Sequence, residues 1–207
     1  MVLGLLMLTA IPTVTGTALA ISERNKPKDE AIEKRQMRKF TLTCWCEGKS
    51  PGKKDIHGGK IVLGDGKMWV QSHTVKPETE FFPFEGFYIE YPDEQRPKPP
   101  PLGLVTKVSD DLMNWIYIDR ATGQVRHGNR TESRPHRVGD WGWSEDQETN
   151  DDEPGGVEFD GEEKFVAVEP ETNSDGRWEV WWDEGETHLR EKDEVKGRKV
   201  YGISLER

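Results

Sequence analysis

The sequence predicts a mainly β protein, an antiparallel sandwich or partly open barrel built from hairpins, with a short N-terminal helical segment. Three observations lead there. From residue 39 onward, short runs rich in Val, Ile, Phe, Tyr and Trp alternate with clusters of Gly, Pro, Asp and Asn. Three of those clusters suit tight reversals between neighbouring runs. Eight Trp, seven Phe and four Tyr supply large buriable surfaces, although hydrophobic and charged residues each make up 33% of the 207 positions.

Met1–Ser22 carries no charged side chain and is long enough to cross a bilayer or to act as a signal sequence. Ala18-Leu19-Ala20 resembles a small-x-small cleavage site. No basic residue precedes the apolar run, and seven follow it between Arg24 and Lys39. In an uncleaved anchor those cations would hold the following domain on the cytoplasmic side. Anchor, secretory signal and an apolar segment docked on protein are all open readings. The expected location is therefore either membrane-associated with a cytoplasmic domain, or secreted. Residues 23–38 have helix-favouring composition with sparse apolar points at Ile32 and Met37, a charged helical lead-in.

Residues 39–207 read as a single β-rich domain. Its strands are expected at Lys39–Cys46, Lys60–Leu63, Lys67–Ser72, Gly86–Tyr91, Leu102–Val108, Asn114–Asp119, Gln124–His127, Lys164–Glu169, Arg177–Asp183 and Lys199–Leu205. Gly64-Asp65-Gly66, Asp119–Gly123 and Asn173–Gly176 are the three hairpin turns, because Gly, Asp and Asn tolerate positive φ. Pro97–Pro101 is a stiff connector between two strands or, alternatively, a ligand for an SH3- or WW-type domain.

The net charge of −10 is unevenly spread. Residues 23–67 hold twelve Lys or Arg against seven acids, and residues 145–175 hold thirteen acids against Lys164 alone. No stretch offers the dense cations that displace counterions from phosphate, so no nucleic-acid partner is expected. The acidic run is a solvated loop or a docking surface for a basic partner. Cys44 and Cys46 are two apart on a strand and share a face. A bond between them would close a strained ring, so they read as two small buried hydrophobes.

No nucleophile elbow, phosphate loop or dinucleotide fingerprint is present, and no cofactor or metal is expected. The stretch from Glu171 to Gly176 begins like a calcium loop, but Trp182 stands where the twelfth position requires Glu. Asp55 and His57, and separately His127, Asn129 and Arg130, are the polar groupings of interest. The latter three line a polar pocket or cap a turn. In the stretch from Arg177 to Trp182, alternation puts Trp178, Val180 and Trp182 on one face and Trp181 on the other. Trp181, with Trp141 or Trp143, either packs in the core or stays exposed as a surface for a peptide, glycan or flat apolar ligand.

The segments GLLMLTAIPTVTG, DIHGGKIVL, FYIEYPD, LGLVTKVSDDLMNWIYID, HGNRTES, VGDWGWSED and FVAVE together resemble a family of small proteins from filamentous fungi with no assigned activity. The resemblance spans most of the chain and transfers no catalytic role. It implies that the N-terminal apolar stretch belongs to the family pattern. A non-enzymatic protein-interaction module is the leading expectation. A small-ligand barrel lined by Trp45, Trp69, Trp115 and Trp178 is the alternative, as is an enzyme using His57 or His127 as general base.

Overall fold

The computed structural model describes residues 37–75, 81–96, 98–109, 112–144, 155–172, 176–185 and 188–207. The apolar segment 1–22, nearly all of the lead-in and residues 145–154 of the acidic run lie outside them. Three hairpins organise the domain: β2 (Gly59–Gly64) with β3 (Lys67–Gln71), β7 (Met113–Ile118) with β8 (Val125–Gly128), and β11 (Phe165–Val168) with β12 (Arg177–Trp182). Each is joined at an expected turn. Asp65 and Gly66 both take positive φ, 52° and 69°, as a two-residue hairpin of right-handed strands requires. Asp119 braces the second turn by accepting the amide hydrogens of Ala121 and Thr122. Of the third turn, residues 173–175 lie outside the description.

The strands that follow the turns meet one another in pairs. Lys67 of β3 pairs with Arg126 of β8, Gln124 at the head of β8 pairs with Trp181 of β12, and β12 pairs with β3 from Arg177↔Gln71 to Glu179↔Trp69. Each strand thus borders the other two, and the hairpins close into a triangle.

Six further strands form a ring. β1 (Thr43–Trp45) reaches β5 (Gly86–Glu90) through the Phe40↔Gly86 bridge, and β5 pairs along its length with β6 (Leu102–Lys107). Between β6 and β9 (Trp141–Trp143) there is no ladder; the Leu102 amide donates to Asp140 Oδ1 at 2.7 Å. β9 pairs with β10 (Val157–Phe159), Gly156 bridges to Glu206 of β14 (Ser204–Glu206), and β14 returns to β1. Along the chain, each hairpin has a ring strand before it and another after it, so the same pattern occurs three times. The domain is a barrel capped by three hairpins.

Aromatic rings fill its interior. Phe40 contacts Phe84, Tyr88 and Trp143. Trp141, Phe159, Phe165 and Trp182 form a second group with centroids 4.9–6.0 Å apart. Cys44 and Cys46 are buried and unlinked on the inner face of β1, and burial pushes both thiols up from their ordinary value. The residue between them points outward, leaving Trp45 42% exposed.

Several elements differ from expectation. β4 (Phe82–Pro83), β9 and β10 are too short to show alternation. Pro51–Ile56 is a helix (α1), with Pro in its first turn where the missing amide hydrogen costs nothing. The expected strand Lys199–Leu205 is two, β13 (Val200–Gly202) on β11 and β14 on β1, because the chain leaves the hairpin layer for the barrel at Ile203. Trp141 and Trp181 are 2% and 3% exposed, so both pack inside and neither forms the exposed contact surface of the other reading. Trp143 is half-buried against Phe40 and Tyr88. The reason at Trp181 is a second cover: Leu189 of α3 (His188–Glu191) and Val195 beyond it pack on the outer face of β11 and β12, so all six residues of β12 are buried.

Candidate functional site

A charged residue on a strand buried from both sides must find partners or lose its charge. Glu179, between Trp178 and Val180 on β12, finds three. Lys67 Nζ donates to Oε1 at 2.7 Å, while Arg198 Nη2 and Trp181 Nε1 donate to Oε2 at 2.6 and 3.0 Å. Burial alone would push the Glu179 carboxyl up; the hydrogen bonds from Lys67 and Arg198 and their charges outweigh it and hold it below the ordinary value. Arg198 is tied in turn to the carbonyls of Glu169 and Glu194. Lys67 also lies 5.4 Å from the centre of the Trp69 ring.

This network floors an open depression of about 360 Å³ where the three hairpins converge. Asp65 comes from the first turn, Thr122 and Gln124 from the second, and Pro170, Glu171 and Thr172 from the approach to the third; Glu194 and Arg198 come from the covering segment. Asp65, Glu171 and Glu194 are exposed at its rim. With Glu179 they make four carboxylates against the two cations Lys67 and Arg198, so the lining is net acidic.

Of the candidate contact residues Trp141, Trp143, Trp181, His127, Asn129 and Arg130, only Trp181 lines this depression, and its indole is spent on Glu179. Trp141 and Trp143 belong to the barrel interior. His127, Asn129 and Arg130 brace a turn instead of lining a pocket. Asn129 caps helix α2 (Arg130–Ser133): its Oδ1 accepts from the amides of Thr131 and Glu132, and its own amide donates to Glu132 Oε2. Arg130 contributes its carbonyl, which accepts from the Tyr91 hydroxyl. His127 Nδ1 lies 3.1 Å from Asn114 Nδ2, and burial lowers the imidazole's pKa. His57 ends α1, its backbone amide donating to the Lys53 carbonyl, and its Nδ1 lies 3.1 Å from the Cys46 carbonyl. The histidine that approaches a carboxylate is His136, 3.8 Å from Asp119 Oδ2, and there the carboxylate's other oxygen holds the second hairpin turn. Among the described residues no group of three or more His, Cys, Asp or Glu is placed to hold a metal. Trp45, Trp69, Trp115 and Trp178 do not ring a common cavity: Trp178 lies in the main core, Trp115 packs on Tyr91, Trp69 borders the depression and Trp45 faces solvent.

Lys67, Glu179 and Arg198 were not among the residues expected at a site. The signal for the first two lay in the strand text: an acid inside RWEVWW, and a lysine opening a strand beside a predicted turn.

A barrel ring, a triangle of hairpins and a threefold chain pattern are the parts of a β-trefoil, and the model of the fungal beta-trefoil domain matches residues 16–207. The chain belongs to this family. The fungal β-trefoil match takes in the end of the apolar segment and the whole lead-in. Neither the curated proteins nor the solved structures contain a match. In β-trefoil terms the depression sits on the hairpin cap, where residues of all three hairpins meet. The β-trefoil fold often mediates binding, and the fold alone assigns no ligand.

Proposed function

We propose that this β-trefoil protein is a non-enzymatic interaction module that engages a protein partner on its hairpin cap. The observation that carries the reading is the convergence of all three hairpins and the covering segment on one open depression with a locked floor. A rigid floor spares a partner the cost of ordering it. The exposed acids at the rim, and the protein's charge of −10, favour a partner segment rich in Lys or Arg.

The test is chemical cross-linking of the full chain in extracts of the producing cells, read by mass spectrometry beside the variant Glu171→Lys with Glu194→Lys, which reverses two exposed rim charges. Cross-links from the cap to one partner, lost in the variant while its thermal unfolding is unchanged, support the reading. Cross-links that map to another face, or that persist after charge reversal, refute it.

A further inference from the structure

Asn129-Arg130-Thr131 is the one Asn-x-Ser/Thr triplet in the chain, and the fold presents it in a particular way. All three residues are exposed. The side-chain carbonyl of Asn129 is committed, accepting 2.8 and 3.1 Å hydrogen bonds from the amides of Thr131 and Glu132, and the backbone amide of Asn129 is committed to Glu132 Oε2 at 2.8 Å. The capping box therefore uses Oδ1 and leaves the amide nitrogen Nδ2 without a partner among the described residues. Nδ2 is the atom through which an N-linked glycan attaches, and a substituted amide keeps its carbonyl. A glycan there costs the helix cap nothing, and the exposed turn offers it room.

We propose that Asn129 is an N-glycosylation site and that the domain accordingly enters the secretory route, with Met1–Ser22 acting as the signal. In the transfer, the bond from the reducing-end sugar carbon to the phosphate of a lipid-linked oligosaccharide breaks. A bond from that carbon to Nδ2 forms, Nδ2 loses one proton, and the polyprenyl diphosphate leaves. No oxidant or reductant enters. The reading is independent of the cap: a glycosylated domain binds or fails to bind a basic partner on its own account.

The experiment is mass spectrometry of the peptide spanning Asn129 from the full-length protein made in a fungal host, before and after peptide N-glycosidase. Hexose and N-acetylhexosamine masses on that peptide, replaced after the enzyme by Asp at position 129, are the expected result. Thr131→Ser should keep the modification and Thr131→Ala should abolish it. Asn129→Asp separates modification from folding, since Asp caps a helix as well as Asn does yet accepts no glycan; it should fold normally and lose the mass shift. A wild-type peptide carrying only unmodified Asn129 overturns the proposal, and would favour an uncleaved cytoplasmic anchor or a docked segment.

Discussion

Glu179 is the residue on which the cap's electrostatics turn, because it is the buried charge that two cations and an indole share. Glu179→Ala would leave Lys67 and Arg198 facing each other without a counter-charge. We expect a loss of about 3 kcal/mol in unfolding free energy, the lower end for breaking a buried pair because Lys67 stays partly solvated, measured by urea denaturation; Glu179→Gln should cost less. The same group sets an acid dependence. Its folded pKa lies below the unfolded value, so its contribution is complete above the ordinary carboxylate range and is lost as pH falls through the depressed value. Asp119 behaves likewise: burial raises it, but the turn amides of Thr122 and Ala121 bring it lower. Stability should therefore decline on acidification below the ordinary carboxylate range. Glu179→Gln should flatten that decline without abolishing it, and an unchanged slope would contradict the assignment.

At the scale of elements, the hairpins were legible because their turns obey local chemistry. Asp65-Gly66 needs two positive φ angles, and Asp119 needs only amides two and three residues ahead. The barrel strands were harder, since several are three residues long and close through single bridges. Gly86 is the sharpest case. Its amide and carbonyl exchange hydrogen bonds of 3.0 and 2.8 Å with Phe40, and a Cβ there would lie 2.5 Å from Phe84 Cζ and 2.6 Å from the Val105 carbonyl. Gly86→Ala should cost about 1–3 kcal/mol through overpacking at the barrel seam, visible as a lower thermal midpoint. An unaltered midpoint would mean that Phe84 yields freely. The alternation in β12 was read correctly, yet its outer face is buried as well. Sequence periodicity reports which side chains share a face, and the covering layer of Leu189 and Val195 comes from the segment that follows β12, outside the strand's own period.

Over the whole molecule, the two ends of the domain hold each other. β14 pairs with β1 through Thr43↔Glu206, Cys44↔Leu205 and Trp45↔Ser204, and Glu206 bridges to Gly156. Deleting Ser204–Arg207 should open the ring and remove the buried Leu205. Loss of a single sharp transition by calorimetry, with loss of near-ultraviolet indole dichroism, is expected; a retained sharp transition would show that the hairpin cap alone sustains the fold. What the amino-acid sequence determined unaided was the β class, the three reversals, the inward pair of cysteines and the acid balance, because each depends on neighbours within a few residues. The closure of three hairpins around one axis, the burial of Trp141 and Trp181, and the meeting of Lys67, Glu179 and Arg198 were decided by tertiary structure. The Lys67–Glu179 contact spans 112 positions and the Arg198–Glu179 contact 19, and no local periodicity encodes which other segment will supply a buried charge with its partner.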